Sequence, residues 1–520
     1  MTVTQNIKPK TFFGINPRTG QTLTQEFTES TTEEINNAVE QAEAAFDAYR
    51  AKTPQERAAF LEKIGEEIMG IGETLIKTCA EETGLPEARL TGERGRTVNQ
   101  LKLFAELLRE GSWVQAIIET AQPDRQPLPR PDTRSMQIPL GPIGVFGASN
   151  FPLAFSVAGG DTASALAAGC PVVAKAHPAH PATSQLVAEA ILRAVAATNM
   201  PTGVFSVIQG PSVEVGITLV QHPLIKAIGF TGSFRGGKAI YDAAVRRPEP
   251  IPVYAEMGST NPVFVLPGAL QERKEALAQG LVNSITMGVG QFCTNPGLVI
   301  SLASDDTNTF VTKAGEILTA VQPGTMLTPT IKNAYDQGVQ KLSSVSNVQV
   351  IARGPATEDS CAGSAHLLKT DAATFVANPE LAEEVFGPSS VVITADTKEQ
   401  LLEIARNLHG HLTATIHGTP NDLEEYRELI SVLERKVGRL LLNGYPTGVE
   451  VGHAMVHGGP YPATTDARST SVGTAAINRY VRPVCYQDFP ENLLPAALQN
   501  ANPLNIWRKV NGAFSQKPVS

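Results

Sequence analysis

The chain has 520 residues, of which 42% are hydrophobic and 18% are charged, and its formal net charge is −9 at pH 7. This length is too great for one ordinary hydrophobic core, so we expect two large domains with smaller appendages. The acidic balance argues against broad binding to nucleic acid or to an anionic membrane surface.

The cysteines and the first residues of the chain favour a reducing compartment. The five cysteines are scattered, without a CxxC pair or a Cys/His ligand spacing, so we expect neither a disulfide framework nor a bound metal. Residues 1–8 lack a basic segment followed by an apolar one, and no run of about 18 apolar residues occurs. We therefore expect a cytoplasmic protein without a membrane partner.

The first part of the chain is predicted to be helical. Thr31 and Glu34 have the form of a capping box, and Pro54 follows Thr53 at a first helical position. Apolar residues then recur at helical spacing. The predicted helices cover 31–49, begin again at 53, and run over about 92–118.

Beyond a proline-rich connector at 122–135, short apolar strands alternate with helices. Such alternation predicts a doubly wound, parallel sheet covered on both faces, and a second α/β unit starts near Asn261. The apolar tail after about Asn478 is expected to dock on a domain or on another subunit. The first unit has predicted strands at 143–148, 171–174, 205–208, 227–230 and 253–256, with helices at 154–168, 181–196, 213–220 and 236–245.

Cys293 and Glu256 are the candidates for catalysis. Cys293 follows a glycine-rich stretch, in which the backbone can approach a substrate closely. Glu256 ends an apolar strand, at the edge where open α/β sheets bind ligands. A thiol and a carboxylate suit a covalent reaction in two steps, in which one group attacks and the other activates water. Taken alone, each residue also fits an inert role, as a buried thiol or a solvated carboxylate.

Other strand ends carry residues that suit a cofactor or an oxyanion. A strand-to-helix turn places Gly232, Ser233 and Gly237 where backbone amides could hold a phosphate, although it lacks the GxGxxG fingerprint and the Walker lysine. Asn150 could donate to a developing oxyanion, or could simply shape a turn. Lys175 could bind a cofactor ribose, or could be a solvated lysine at a sheet edge.

Taken together and in chain order, these segments resemble the aldehyde dehydrogenase superfamily over nearly the whole chain. The resemblance implies an α/β fold with a Rossmann-type cofactor domain, an α/β catalytic domain and a small β oligomerisation arm. It places the NAD(P)-binding domain at 1–121 and 141–258, the catalytic domain at 259–477, and the arm at 122–140 and 478–520. The matching motifs are Gly147-Ala148-Ser149-Asn150-Phe151-Pro152, Val173-Ala174-Lys175, Phe230-Thr231-Gly232-Ser233, Glu256-Met257-Gly258, Gly290-Gln291-Phe292-Cys293 and Glu384-Val385-Phe386-Gly387-Pro388.

The resemblance also implies a role for each matching residue. Cys293 would attack an aldehyde while Asn150 holds the oxyanion, and loss of hydride to a nicotinamide would leave a thioester. Glu256 would activate the water that hydrolyses this thioester. A glutamate at this position argues against a relative that passes the acyl group to CoA. The implied cofactor-binding residues are Lys175, His177, Gly232, Ser233, Gly237, Glu384 and Phe386.

The cofactor is expected to be NADP or NAD. Many NAD-using members of the family have a glutamate three residues after the lysine, where this chain has Pro178. A 2′-phosphate would meet no repulsion there and could pair with Lys175. NADP is therefore permitted, but no arginine stands out as a phosphate clamp, so the preference stays open.

A second departure from the commonest family pattern, after the base, bears on the substrate. Met257-Gly258-Ser259 after the base and the tail at 482–487 resemble the branch that oxidises α-ketoglutarate semialdehyde (2,5-dioxopentanoate) to 2-oxoglutarate. A nearby branch takes medium- or long-chain aliphatic aldehydes with NADP. An arginine in the substrate funnel would suit an anionic substrate, and we expect Arg96 to fill this role, although Arg94 and Arg96 also fit solvated helix charges. The expected funnel residues are Arg96, Gln100, Phe151 and Phe155.

Two other classes of function remain open from the sequence. One is a cofactor-independent thiol esterase that uses Cys293, and the other is a non-catalytic binding protein. The presence of both Cys293 and Glu256 argues against a non-catalytic protein. The resemblance implies a small-molecule aldehyde as substrate and a homodimer or homotetramer assembled through the arm.

Overall fold

The computed structural model describes residues 10–359 and 361–519. Its first part is a β-hairpin, a group of four helices and two strands that join a sheet formed later in the chain. In chain order these elements are β1 (Thr11–Ile15), β2 (Thr22–Thr28), α1 (Thr32–Arg50), α2 (Pro54–Gly70), α3 (Glu73–Thr83), α4 (Glu87–Glu110), β3 (Ile117–Glu119) and β4 (Thr133–Pro139).

The predicted helix starts at Thr31 and Thr53 are confirmed, because both residues form complete capping boxes. The third predicted helix is wrong at both ends. It begins at Glu87 and stops at Gly111, whose left-handed φ of 80° ends the helix. The next apolar stretch, Ile117–Glu119, is a strand because it pairs with β4.

The first large sheet is parallel and has the strand order β7-β6-β5-β8-β9. Its strands are buried on both faces, as the continuous apolar runs predict. The largest apolar core packs α2, α4, α5 and α6 against β5 and β6. Here β5 is Ile143–Phe146, α5 Gly160–Ala168, β6 Val172–Lys175, α6 Pro181–Ala197, β7 Phe205–Ile208, α7 Val213–Gln221, β8 Ala227–Thr231, α8 Phe234–Val245 and β9 Val253–Glu256.

The segment predicted as helix over 154–168 is helical only from Gly160. Residues 151–159 form an irregular loop, and the backbone N–H groups of Leu153 and Ala154 donate to the Glu93 carboxylate of α4 at 2.9 and 3.0 Å. The loop folds back tightly at Gly159, where a Cβ atom would come within 2.7 Å of the Phe155 Cα atom. Sequence periodicity did not reveal the loop because its residues are as small and apolar as those of the helix that follows.

The second large sheet has the order β13-β15-β16-β11-β10-β17-β18, in which β13 is antiparallel and the others are parallel. The elements of this unit are β10 (Val263–Val265), α9 (Pro267–Thr286), β11 (Leu298–Leu302), α10 (Asp305–Thr319), β12 (Gly324–Thr325), α11 (Pro329–Ser343), β13 (Gln349–Arg353), β14 (Ala362–Gly363), β15 (His366–Asp371), α12 (Ala372–Ala377), β16 (Ser389–Ala395), α13 (Lys398–Asn407), β17 (His411–His417), α14 (Pro420–Glu425), α15 (Arg427–Leu433) and β18 (Val437–Leu442).

The third sheet joins the end of the chain to the segment before β5, in the order β19-β4-β3-β20-β21. Its last strands are β19 (Val481–Gln487), β20 (Arg508–Val510) and β21 (Ala513–Ser515). Strand β3 of this sheet lies before residue 122, where the arm was predicted to begin. Leu498 and Ile506 of the tail are buried within the same chain.

The two large sheets meet along β9. Beyond β18 the chain returns, and Met257 N donates to the Ala463 carbonyl at 2.8 Å while Thr465 N donates to the Ala255 carbonyl at 3.1 Å. This irregular segment thus runs beside the last strand of the first sheet and carries its side chains to the end of β9. No helix in the described part of the chain is both long and apolar enough to cross a membrane.

Candidate functional site

A cavity of about 920 Å³ opens at the carboxyl ends of β5, β8 and β9 and reaches the loops of the second unit. Crevices of this kind form where parallel strands end and the connecting segments diverge. Most of the predicted site residues line it. They are Asn150, Phe151, Phe155, His177, Gly232, Ser233, Glu256, Cys293, Glu384 and Phe386.

Glu256, the last residue of β9, is almost completely buried, with 1% of its surface exposed. Burial alone would raise the pKa of its carboxyl. The electrostatic interaction with His457 and hydrogen bonds from His457 and Ser471 outweigh burial, so the pKa lies below its ordinary value. Ser471 Oγ donates to Oε2 at 2.7 Å, and His457 Nε2 lies 2.9 Å from Oε1. The carboxylate is therefore ionised at neutral pH.

Cys293 is half-buried and its thiol faces the cavity. Burial and the nearby Glu256 charge raise the thiol pKa well above its ordinary value, and Arg96 only partly opposes them. The loop around Cys293 is held by Asn261, whose side-chain amide donates to the Cys293 carbonyl at 2.8 Å. Upstream of Cys293, position 290 must be a glycine, because its φ is 65° and a Cβ atom there would lie 2.3 Å from the Gly387 backbone. The resting thiol is protonated and needs help to ionise.

His457 is a site residue that sequence reasoning missed. It has no exposed surface, and its Nε2 atom lies 3.3 Å from Cys293 Sγ as well as 2.9 Å from Glu256 Oε1. Ligand atoms of these three residues all lie within 4.8 Å of one another. The only local signal is a histidine directly before Gly458-Gly459 in a stretch without periodicity.

Asn150 is buried beside Cys293. Its side-chain Nδ2 donates to the Gln291 carbonyl at 3.0 Å, which leaves a second amide hydrogen for another acceptor. The Asn150 carbonyl accepts from Arg89 Nη2 at 2.7 Å. Arg89, also missed from the sequence, lies over the Phe151 and Phe292 rings at 5.2 and 5.0 Å. The spacing of Arg89 and Arg96 on one helix face was a signal available in the sequence.

Arg96 lies over the aromatic pair that walls the cavity beside Cys293. Its guanidinium carbon is 5.6 Å from the Phe151 ring centre and 5.3 Å from that of Phe155. Its Nε and Nη2 atoms are buried and have no hydrogen-bond partner among the described residues. Burial lowers the Arg96 pKa, while Glu93 and the site anions oppose this effect. A guanidinium with free N–H groups in such a setting can bind a carboxylate.

The cavity also has the features that a dinucleotide requires. It runs past the first turn of α8, where Ser233 caps the helix by accepting from Gly236 N at 3.2 Å. The backbone there stays open because Gly232 has no side chain, and a Cβ atom would lie 2.7 Å from the Phe230 ring. Free amides at a helix start suit a phosphate. On the opposite wall, Glu384 accepts from Ser259 N at 3.2 Å.

His177 stacks on His180 with ring centres 5.5 Å apart. Lys175 is the last residue of β6. Burial lowers its pKa to about 8, and the charge of Glu29 partly opposes this effect. Glu29 accepts from Ser212 N at 3.0 Å. A carboxylate therefore lies near Lys175 although the position of Pro178 lacks one.

Two predicted site residues lie elsewhere. Gln100 is buried against the start of α5, where a Cβ atom on Gly160 would come within 2.5 Å of its amide nitrogen. Gly237 packs against Met257, and Gly236 takes its place on the cavity wall. Gln100 is four residues beyond Arg96 on α4 and packs towards the core, and Gly237 directly follows Gly236 on α8.

Comparison with known proteins agrees with the family resemblance of the sequence motifs over most of the chain. The aldehyde dehydrogenase family matches residues 4–482. The chain is 53% identical over 479 residues to α-ketoglutaric semialdehyde dehydrogenase 2 of Azospirillum brasilense, covering 92% of this chain and 91% of that protein. It is 50% identical over 491 residues to α-ketoglutaric semialdehyde dehydrogenase of Acinetobacter baylyi, covering 94% and 93%.

A solved structure confirms the predicted fold. It is a double mutant of betaine aldehyde dehydrogenase from Staphylococcus aureus in complex with NAD⁺, with a TM-score of 0.78, 19% identity, and coverage of 92% of this chain and 94% of that chain. The family match spans most of the chain, and the site contains a thiol, a carboxylate and a dinucleotide-sized cavity. This chain therefore belongs to the aldehyde dehydrogenase family and is an NAD(P)-dependent oxidoreductase that acts on aldehydes.

Proposed function

We propose that the enzyme oxidises α-ketoglutarate semialdehyde to 2-oxoglutarate. The observation that carries this proposal is Arg96, whose buried Nε and Nη2 atoms have no partner among the described residues, beside the Cys293 thiol. A five-carbon substrate with an aldehyde at one end and a carboxylate at the other suits these two groups. The names of the two relatives at 53% and 50% identity support the same substrate.

In this proposal Cys293 attacks the aldehyde carbon to form a hemithioacetal, and the free amide hydrogen of Asn150 stabilises the oxyanion. Glu256 then activates the water that hydrolyses the thioester. The low pKa of its carboxyl keeps Glu256 ionised for this step. The oxidant is the nicotinamide cofactor, which accepts hydride from the substrate when bound.

Lys175, His177, Ser233, Glu384 and Phe386 would hold that cofactor. The open turn at Gly232 supports a pyrophosphate site at the start of α8. We propose that both cofactors are accepted. The absence of a carboxylate at Pro178 admits the 2′-phosphate of NADP, and the Glu29 carboxylate near Lys175 suits the free ribose of NAD.

The main alternative is oxidation of medium- or long-chain aliphatic aldehydes with NADP. The apolar cluster around the site favours it, since Phe151 and Phe155 pack with Val449, Val451 and Met455. The buried Nε and Nη2 atoms of Arg96 argue against it, because an alkyl chain would leave them without a hydrogen-bond acceptor. A cofactor-independent thiol esterase is a second alternative.

We also propose a homodimer or homotetramer. The third sheet carries exposed apolar side chains, and β18 ends the second sheet with Leu442 half exposed. A free apolar edge strand is suited to pairing with another chain. The exposed residues of the third-sheet region are Leu128, Leu493 and Phe514.

Initial rates with three aldehydes, each with NAD and with NADP, test the proposed substrate. We expect kcat/KM for α-ketoglutarate semialdehyde to exceed that for pentanal by about tenfold or more, because only the semialdehyde pairs with Arg96. A preference for decanal with NADP would support the aliphatic alternative. Cofactor-free ester cleavage without oxidation of any aldehyde would support the thiol esterase.

A further inference from the structure

The His457 ring lies between the two groups that carry the chemistry. Its Nε2 atom is 2.9 Å from Glu256 Oε1 and 3.3 Å from Cys293 Sγ, so one N–H can reach either acceptor. The ring is held from its backbone, where His457 N donates to Thr470 Oγ1 at 2.8 Å and the carbonyl accepts from Ser471 N at 2.8 Å. These contacts fix Nε2 between carboxylate and thiol.

The other ring nitrogen indicates which tautomer is present. Nδ1 of His457 is buried and has no partner among the described residues. A hydrogen at Nδ1 would be an unsatisfied buried donor, whereas a bare Nδ1 loses only an acceptor contact. A hydrogen on Nε2, by contrast, has the Glu256 carboxylate as its acceptor. In this tautomer His457 cannot take up the thiol proton, because Nε2 already carries one.

We propose that His457 is a third catalytic residue, a donor whose Nε2–H bonds to Glu256 at rest and moves to Cys293 Sγ when the thiol ionises. As the S–H bond breaks, the proton passes to the Glu256 carboxylate. The resulting neutral carboxyl is a weaker acceptor for the imidazole hydrogen than the carboxylate was. The thiolate accepts it instead and uses its electron pair to form the S–C bond with the aldehyde carbon. The carbonyl π pair moves to oxygen, and nothing is oxidised in this step.

Other charges near the thiol do not supply such a donor. Glu256 and Glu384 both disfavour a thiolate, and Arg96 and Arg439 favour it only through their charge. Among the described residues, His457 Nε2 is the nitrogen that contacts Sγ, and the Glu256 carboxylate interacts with the thiol as its acceptor. The imidazole N–H is thus the hydrogen-bond donor that stabilises the thiolate when it forms.

The inference rests on the proposed role of Cys293 and is independent of the proposed substrate. The test is alkylation of Cys293 by iodoacetamide against pH, followed by peptide mass spectrometry, without aldehyde or cofactor. The Cys485→Ser background removes the exposed cysteine. His457→Gln keeps a side-chain N–H near the position of Nε2, and His457→Asn is polar but too short to reach Sγ. His453→Asn is the control, because His453 is exposed in the same segment.

We expect His457→Asn to slow alkylation at pH 7.5 about 10- to 100-fold and to shift the rise of the rate to higher pH, since a charge-assisted hydrogen bond to the thiolate is lost. His457→Gln should stay within about fivefold of wild type, and His453→Asn should not change the rate. Equal rates for His457→Asn and wild type would overturn the proposal. Equal slowing by Gln and Asn would also overturn it, because it would mean that the imidazole itself takes up the proton. Thermal melting of each variant confirms that it is folded.

Discussion

At the scale of single residues, the site combines an anion, a neutral thiol and an unpaired cation within one cavity wall. Glu256 is ionised because two hydrogen bonds outweigh its burial, and Cys293 is protonated because it is buried beside that charge. The guanidinium of Arg96 lies over the Phe151 and Phe155 rings, and its Nε and Nη2 atoms have no hydrogen-bond partner among the described residues. This order of charges suits a substrate that is an aldehyde at one end and an anion at the other.

Arg96→Met should separate anionic from neutral substrates. The change keeps the stem that packs on the phenylalanine rings and removes the guanidinium. We expect kcat/KM for α-ketoglutarate semialdehyde to fall about 10- to 100-fold, corresponding to about 2 kcal/mol for a charge-assisted pair. The value for pentanal should change less than about threefold.

Arg94→Met is the matched control, because Arg94 lies on the same helix and donates to the Gly72 carbonyl at 2.7 Å instead. It should leave both substrates unaffected. An equal loss for semialdehyde and pentanal in Arg96→Met would mean that Arg96 shapes the pocket without recognising the carboxylate.

At the scale of elements, the sequence predicted the first sheet closely. The strands at 205–208 and 253–256 agree with the structure at both ends, since parallel strands buried on both faces are unbroken apolar runs between turns. The loop at 151–159 and the segment that brings His457 to β9 could not be predicted. Neither has a period, and each is held by contacts with residues distant in the chain, such as Glu93 and Ala255.

The same contrast between local patterns and distant contacts explains which site residues could be predicted from the sequence. Cys293, Glu256 and Asn150 follow recognisable motifs at strand or helix ends, and the structure brings them to one cavity. Gln100 was predicted from the family resemblance of its helix and Gly237 from the glycine spacing of a strand-to-helix turn, and neither observation shows which residues line the cavity. His457 is joined to Glu256 across 201 positions of the chain, and no local pattern carries that information.

Strand β17 ends in a buried histidine that should make stability depend on pH. Burial and Arg273 lower the pKa of His417 from 6.5 to about 4. Between these two values the unfolded chain binds a proton that the folded chain does not, so stability falls as the pH falls from about 7 to 4 and changes no further below that. The loss by pH 5 is about 2 kcal/mol from this residue.

His417→Leu should therefore reduce the loss of stability between pH 7 and pH 5, whatever it does to stability at pH 7. Urea unfolding at both pH values measures the difference, and His409→Leu provides an exposed control on the same part of the chain. The same pH dependence in His417→Leu and wild type would show that His417 is not the residue that couples folding to protons.

At the scale of the whole molecule, the site exists only because the two units meet. The first unit contributes Asn150, Glu256 and the turn at Gly232 and Ser233, where the cofactor would bind. The second unit contributes Cys293, His457 and Glu384. The returning segment beside β9 ties the two together through main-chain hydrogen bonds at Met257 and Thr465. The chemistry proposed here depends on that junction holding a thiol and a carboxylate within 4.8 Å.

The most direct test of the proposed chemistry is to trap the acyl group on Glu256→Gln with α-ketoglutarate semialdehyde and cofactor at pH 9, where solvent can take up the thiol proton. Intact-mass and peptide analysis should find one acyl group on Cys293 and one equivalent of reduced cofactor per subunit, because the thioester forms but is not hydrolysed. Glu249→Gln, an exposed control just before β9, should turn over normally. Continued turnover by Glu256→Gln, or an acyl group absent from Cys293, would contradict the proposal.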